Sequence, residues 1–249
     1  QYDFSEEEYK RISDYLADGG KAMFFLNVQA AEKMTNYEKL LSDYGVNVAE
    51  GYVVDVQGAM NANYPTMLVP QIEQHELTAD VGNTQVVLPV SKGMTTQSDV
   101  RSTLTVTPFL TTTDSAYSKV DLKATSMEKE EGDIQGPFST GLVIKDAYTE
   151  NTQGEGKATE IVVFGTGNAA ASDFIATNQF GNRSVLLNTL TYLSGTKTST
   201  LAVPTRNLNE ESVVIQQGNR IFFTVLLVVI IPLALLAFGF VIWYRRGKS

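Results

Sequence analysis

The chain has 249 residues, of which 43% are hydrophobic and 19% are charged, and its formal net charge at pH 7 is −9. It contains no cysteine and a single histidine, His75. Disulfides, zinc–thiolate centres and thiol nucleophiles all need cysteine, so the sequence excludes them, and it excludes a histidine-rich metal site as well. The length and hydrophobic content are sufficient for one or two domains with a buried core.

The N-terminal part of the chain predicts helices that alternate with strands. Ser5 and Glu8 form a capping box, and apolar residues follow at helical spacing, which predicts a first helix. The unbroken apolar run over residues 22–28 predicts a strand that is covered on both faces. A second helix is predicted over residues 35–44, and further short apolar runs follow it. This alternation is typical of an α/β fold with a mainly parallel sheet flanked by helices.

The middle of the chain has a different composition. Residues 121–137 are polar and rich in turn-forming residues, and they include the acidic side chains of Glu128, Glu130, Glu131 and Asp133. These carboxylates lack the alternating spacing of a calcium-binding loop, so we predict a solvated acidic loop and no metal site. Residues 138–150 predict a strand whose hairpin partner is the apolar run that begins at residue 161.

A strand, a glycine-rich turn and two helices form the pattern of clearest chemical interest. The apolar run Ile161–Phe164 predicts the strand, and helices are predicted over about residues 169–176 and 182–193. Gly165 and Gly167 lie between the strand and the first of these helices. In many α/β enzymes a phosphate or a nucleophile is held at such a turn.

The residues at this turn do not match the known catalytic motifs. A phosphate-binding loop of the Walker type needs a lysine followed by serine or threonine, and the dinucleotide fingerprint needs a third glycine. Neither is present after Gly167. Thr166 is flanked by glycines, as in a nucleophile elbow, but only His75 could serve it as a histidine base.

The loop is therefore predicted to be a tight turn between a strand and a helix. Its residues Gly165, Thr166, Gly167 and Asn168 are the candidates for ligand binding, through the amides at the start of the following helix. The sequence predicts no catalytic residue, no cofactor and no metal site. We expect His75 to cap or pack a turn.

The C-terminal region predicts a membrane-spanning helix. Residues 221–244 contain no charge, and as a helix they would extend about 36 Å, enough to cross a hydrocarbon core of about 30 Å. A basic tail over residues 245–249 follows, which by the positive-inside rule predicts a cytoplasmic C-terminus. The preceding residues are acidic in balance, a surface that repels nucleic acid.

These observations predict four parts and a location. We expect an extracytoplasmic α/β domain over residues 1–195, a connector over 196–219, a transmembrane helix over 220–244 and the cytoplasmic tail over 245–249. The predicted location is the plasma membrane, with a single pass through the lipid bilayer. Because the sequence does not begin with methionine, we expect a processed chain or part of a longer one.

Four stretches of the chain resemble motifs of GldG-like ABC-transporter auxiliary proteins, a family with gliding-motility and intraflagellar-transport-type domains. They are residues 15–27, 40–55, 180–195 and 231–248. The resemblance implies a glutamine-amidotransferase-like or flavodoxin-like α/β domain that works with an ABC-transporter permease and its ATPase subunit. One departure is Asn27, since many relatives have an aspartate after the first strand.

Two classes of function follow from this resemblance. The first is a non-catalytic, membrane-anchored auxiliary subunit whose domain contacts the permease or its substrate. The second is a receptor that binds a glycan or a peptide and delivers it to an ABC transporter. A receptor is expected to have a concave pocket near residues 165–168, whereas a structural subunit is expected to have a filled crevice there.

Overall fold

The computed structural model describes residues 2–28, 33–147, 158–176, 179–195, 230–233 and 236. The α-helices whose bounds the structure describes are α1 (Glu6–Ala17), α2 (Thr35–Asp43), α3 (Ser172–Ile175) and α4 (Asn182–Ser194). The strands are β1 (Lys21–Phe25), β2 (Val46–Val48), β3 (Tyr52–Val54), β4 (Met67–Leu68), β5 (Gln71–Ile72), β6 (Leu88–Pro89), β7 (Met94–Thr96), β8 (Leu104–Thr111), β9 (Tyr117–Lys119), β10 (Ile134–Gln135), β11 (Ser139–Asp146) and β12 (Thr159–Phe164). Two 3₁₀ helices span Glu76–Thr78 and Gly167–Ala170.

The principal sheet has seven strands and is mixed. Its order is β1–β12–β11–β7–β2, and β8 pairs with both β11 and β5. Within this sheet β1 and β12 are parallel, and every other pair is antiparallel. Two smaller sheets, β10–β9–β3 and β4–β6, are antiparallel.

The predicted mainly parallel sheet of glutamine-amidotransferase-like or flavodoxin-like type is therefore wrong. Parallel neighbours need a crossover connection of about a dozen residues or more, usually a helix. From β2 to β11, over residues 46–146, the described chain contains no α-helix and its strands are joined by turns and one 3₁₀ helix. Such connections favour antiparallel pairing. The predicted hairpin of β11 and β12 is present, with Leu142 opposite Val163.

Strand β12 lies at the centre of the fold and is buried on both faces. Ile161 and Val163 belong to an apolar cluster that includes residues of α1 and α2. Val162 and Phe164 belong to the cluster on the other face, which includes residues of α4. This alternation follows from the period of two residues along a strand.

Strand β1 lies at the edge of the sheet, beside β12. All five of its residues are half-buried. Met23 and Phe25 pack against one apolar cluster and Ala22 and Phe24 against the other, so both faces of this run are covered as predicted, although the edge position leaves the cover incomplete. The preceding helix α1 begins as predicted, because Ser5 and Glu8 form both hydrogen bonds of the capping box.

The predicted membrane-spanning helix over residues 220–244 is a second correction. In the part of the chain that the structure describes, no helix has the length and apolar character that a bilayer crossing requires. A long apolar run is not sufficient for a span, which also needs about 20 residues in one continuous helix. The predicted localisation, with a membrane pass and a cytoplasmic C-terminus, is corrected with it. Most of 220–244, the connector 196–219 and the tail 245–249 lie outside the described residues.

The acidic loop after β9 folds around the buried, positively charged side chain of Lys119. The Lys119 side chain is fully buried, and its Nζ lies 2.8 Å from Glu130 Oε2 and 3.2 Å from Asp133 Oδ2. It also donates a hydrogen bond of 2.7 Å to the carbonyl oxygen of Glu128. Burial opposes the charge on Lys119, but the hydrogen bonds and charges of Glu130 and Asp133 outweigh it and raise the pKa of Lys119 above the ordinary value of 10.5. The loop is thus anchored through Lys119, while Glu128, Glu130 and Glu131 are exposed to solvent as the composition predicts.

Asp133 couples the stability of this loop to pH. Burial disfavours its charge, but hydrogen bonds from the amides of Glu130 and Val120 and from Lys119 outweigh burial and hold the pKa of Asp133 below its ordinary 3.8. A carboxyl group whose folded-state pKa is depressed contributes stability above its unfolded-state pKa, and loses that contribution as the pH falls through the folded-state value.

We therefore expect Asp133→Asn to be less stable than the parent at pH 7, and to lose less further stability when the pH falls below about 4. Urea unfolding followed by circular dichroism at pH 7 and at pH 3 measures both effects. Glu131→Gln, in an exposed position of the same loop, is the matched control and should behave like the parent. Equal acid sensitivity of Asp133→Asn and the parent would contradict this role for Asp133.

Candidate functional site

The glycine-rich loop lies at the carboxyl ends of the parallel strands β1 and β12. In open α/β sheets this edge is where ligands usually bind. Asn27 follows β1, and Gly165–Asn168 follow β12, so the fold brings Asn27 and the four predicted ligand-binding candidates together. The contacts of each residue decide what this edge can do.

Gly165 is enclosed by backbone on two sides. Its amide donates to the carbonyl of Thr140 at 2.8 Å, and its carbonyl accepts from the amide of Lys92 at 2.8 Å. A Cβ atom at this position would lie 2.2 Å from Ser91 Oγ and 2.4 Å from the carbonyl oxygen of Lys92. Glycine is required here because of this close approach and not because of a left-handed backbone, since neither Gly165 nor Gly167 has a positive φ.

The hydroxyl of Thr166 both donates and accepts a hydrogen bond within the protein. Its side chain is buried, and Oγ1 donates to the carbonyl of Pro89 at 3.0 Å and accepts from the amide of Asn168 at 3.1 Å. A nucleophilic hydroxyl must instead pass its proton to a base. Thr166 serves as the N-cap of the 3₁₀ helix Gly167–Ala170.

Asn27 joins the ends of the two parallel strands. The amide of Gly167 donates to Asn27 Oδ1 and to the carbonyl of Leu26, both at 3.0 Å. A Cβ atom on Gly167 would lie 3.0 Å from the same Oδ1. The neutral amide of Asn27 thus occupies the space and the donor that a ligand would need at this edge.

Asn182 is a site residue to which the residue-by-residue sequence reasoning gave no role. It is buried at the start of α4. Its Oδ1 accepts from the amide of Val87 at 2.8 Å, and its Nδ2 donates to the carbonyls of Val87 at 2.7 Å and Ala169 at 2.9 Å. The available signal was its place in the stretch 180–195 that resembles the family motif.

His75 caps a turn, as the sequence predicts. Its Nδ1 accepts from the amide of Leu77 at 3.1 Å, at the start of the 3₁₀ helix Glu76–Thr78. Its ring packs near the rings of Phe109 and Tyr192. Burial lowers the pKa of His75 below 6.5, although the carboxylate of Glu76 acts in the opposite direction. The neutral imidazole is the form that can accept the hydrogen bond from Leu77.

Together, these contacts engage the groups of the loop that could otherwise bind a ligand or act in catalysis. Three of its amides and its hydroxyl already have partners within the protein, so a ligand at Gly165–Asn168 would have to displace them. Ligand binding by this loop stays a prediction. Within the described ranges, no group of three or more histidine, aspartate or glutamate side chains is placed to hold a metal ion.

Two grooves lie on other parts of the surface. The first, which we call the threonine groove, has a volume of about 340 Å³ and is formed by Gln71, Thr95, Thr96, Thr111 and Asp114 around Phe138. The second has a volume of about 800 Å³ and is bordered by residues 72–76, 78 and 79. Residues 165–168 line neither of them.

Comparison with known proteins places the chain in a family. Residues 1–189 match the auxiliary family described as "ABC-type uncharacterized transport system". The chain belongs to this family and is thus related to auxiliary components of an ABC-type transport system.

One solved structure, named "mmIFT52 N-terminal domain", is 14% identical in sequence and covers 79% of this chain and 74% of its own, with a TM-score of 0.49. No curated protein sequence matches the chain significantly.

Proposed function

We propose that this chain is a non-catalytic auxiliary subunit of an ABC transporter, and that its domain contacts the permease or the transported substrate. The proposal rests on the loop at the end of β12, whose polar groups are hydrogen-bonded within the protein, together with the family match over residues 1–189. The Thr166 hydroxyl donates its hydrogen bond to the carbonyl oxygen of Pro89, which is not a base. The motif stretches 15–27, 40–55 and 180–195 further favour a place among the GldG-like members of this family.

The association with a transporter is tested by co-purification. The full chain carries an affinity tag, is expressed in its native cell and is extracted in mild detergent, and the captured proteins are identified by mass spectrometry. We expect a permease and its ATPase subunit to be enriched over a tagged, unrelated control. Capture of neither subunit, from cells that express both, would sink the proposal.

A non-catalytic role also predicts how two variants behave in the same experiment. Thr166→Ala removes the loop hydroxyl, and His75→Ala removes the one histidine. We expect both variants to capture the transporter subunits as the parent does and to support the same transport in the cell. Loss of transport in a Thr166→Ala variant that still folds and assembles would favour an enzyme instead.

The second candidate function is a receptor that binds a glycan or a peptide and delivers it to the transporter. The threonine groove favours this candidate, since its volume lies at the lower end of the range of about 300–1,000 Å³ that small-ligand sites occupy. A receptor pocket was expected near residues 165–168, but those residues do not line this groove. Its chemistry must therefore be considered by itself.

A further inference from the structure

The threonine groove is formed where strands of the principal sheet diverge. Ser139, the first residue of β11, pairs with Met94 of β7 on one side and with Thr111 of β8 on the other. Before Ser139 the chain turns away through Pro137, while β7 continues to Thr96. The gap between the two outer strands is the groove, and Phe138 forms part of its lining.

The groove wall is rich in hydroxyl and amide groups. Thr95, Thr96 and Gln71 are exposed, and Thr111 is half-buried. Thr111 Oγ1 has one long hydrogen bond, 3.5 Å to Glu73 Oε1. Hydroxyl and carboxamide groups each donate and accept hydrogen bonds, which is the capacity that a ligand carrying many hydroxyl groups requires.

The charge of the groove restricts the ligand further. Among the described residues that line it, Asp114 is the one charged side chain and none is a lysine or an arginine. A phosphate or a carboxylate would therefore meet a negative charge without a cation to pair with. The apolar surfaces of Met94, Pro137 and Phe138 provide contact for C–H groups. A neutral molecule with many hydroxyl groups and an apolar face satisfies both conditions.

The rim of the groove is held in place by the buried carboxylate of Asp55 and by the side chain of Gln135. Asp55, which is 1% exposed, accepts hydrogen bonds of 2.8 Å from both the amide and the hydroxyl of Thr113. Gln135 Nε2 donates to the carbonyl of Asp114 at 2.8 Å. The backbone of Asp114 is thus fixed before a ligand arrives, which reduces the entropy lost on binding.

The backbone of β7 disfavours an added peptide strand. The Gly93 carbonyl accepts from the amide of Ala49, just after β2, and the Gln97 amide donates to the carbonyl of Gly45, just before β2. Since such groups alternate along an antiparallel strand, Thr96 directs its N–H and C=O to the groove side. One residue offers one pair of hydrogen bonds, whereas strand addition depends on a row of them.

We infer that the threonine groove binds a neutral carbohydrate, with Thr96, Thr111 and Asp114 as hydrogen-bonding residues. At about 340 Å³ the groove suits a short saccharide unit and not a long chain in full. The inference rests on the second candidate function. It supplies the class of substrate for that candidate.

The test uses the purified full chain and a panel of neutral gluco-, manno- and galacto-trisaccharides, a uronate trisaccharide and an uncharged threonine–valine pentapeptide. Binding is measured by ligand-observed NMR and quantified by calorimetry. We expect at least one neutral trisaccharide to bind, and the uronate and the pentapeptide to bind more weakly or not at all.

The variants locate the site. Thr111→Val removes a hydroxyl and keeps the shape of the side chain, and Asp114→Ala removes the carboxylate; together they should weaken sugar binding by about tenfold or more. Thr107→Val, at an exposed position of the same strand, is the matched control and should leave the affinity unchanged.

Three outcomes would overturn the inference: no binding of any neutral trisaccharide at about 10 mM, equal weakening by Thr107→Val, or preferential binding of the pentapeptide. Because the assay contains no transporter, its result is independent of co-purification. A chain that captures the permease but binds no sugar retains the first function and loses this site.

Discussion

The Gly165→Val variant is expected to lose stability at the upper end of the range of about 1–3 kcal/mol that overpacking costs, or beyond it. The new Cβ would fall 2.2 Å from Ser91 Oγ and 2.4 Å from the Lys92 carbonyl. A serine side chain can rotate away from the new Cβ. The Lys92 carbonyl is held in place, because the amide of Lys92 donates a hydrogen bond to the carbonyl of Gly165. Relief therefore requires the two chain segments to separate. Urea unfolding of the purified variant measures the loss.

Two neighbouring variants serve as controls for Gly165→Val. Ala170→Val adds the same kind of side chain at an exposed position of the same turn, and should change the free energy of unfolding by no more than about 0.5 kcal/mol. Thr166→Ala deletes one hydrogen-bonding hydroxyl and should cost about 0.5–1.5 kcal/mol. If Gly165→Val proves as stable as Ala170→Val, the close approach at this turn is not as described.

Phe164→Ala is expected to destabilise the fold by about 3–5 kcal/mol, the usual cost of truncating a buried phenylalanine. The Phe164 side chain is 1% exposed. Its ring stacks on Phe25 with centroids 5.3 Å apart and meets Phe109 edge-on at 5.6 Å. Truncation removes both ring contacts and leaves a cavity between β1, β12 and β8. Thermal and urea unfolding measure the change.

The matched control is Leu187→Ala on α4. This leucine is 52% exposed, so its truncation should shift the free energy of unfolding by only about 0.5 kcal/mol. A Phe164→Ala variant that unfolds at the same urea concentration as Leu187→Ala would contradict the central position of β12.

Local signals in the sequence predicted the local elements well. The capping box at Ser5 and Glu8, the hairpin that ends in Ile161–Phe164, and the helix near 182–193 all depend on neighbouring residues and are present. The direction of strand pairing does not depend on neighbours. It depends on whether a connection crosses over the sheet, and short apolar runs such as 67–69 do not reveal this.

The candidate site was predictable in part for the same reason. The position of a turn at Gly165 followed from a strand that ends in glycine. The partners that close this turn are distant in sequence: Asn27 lies 140 residues before Gly167, and Asn182 lies 95 residues after Val87. A single sequence does not report such pairings. The resemblance of 180–195 to a family motif marked Asn182 without giving its role.

The pairing of β1 with β12 has a consequence for biosynthesis. Lys21 pairs with Glu160 and Phe25 with Phe164, so β1, which leaves the ribosome before β12, receives this neighbour only when most of the domain has been translated. At about 5–20 residues per second this delay is roughly 7–30 s. During that interval the apolar side chains of Met23, Phe24 and Phe25 lack their partner strand. The nascent chain is then open to aggregation and is a natural client for a chaperone that shields unpaired strands.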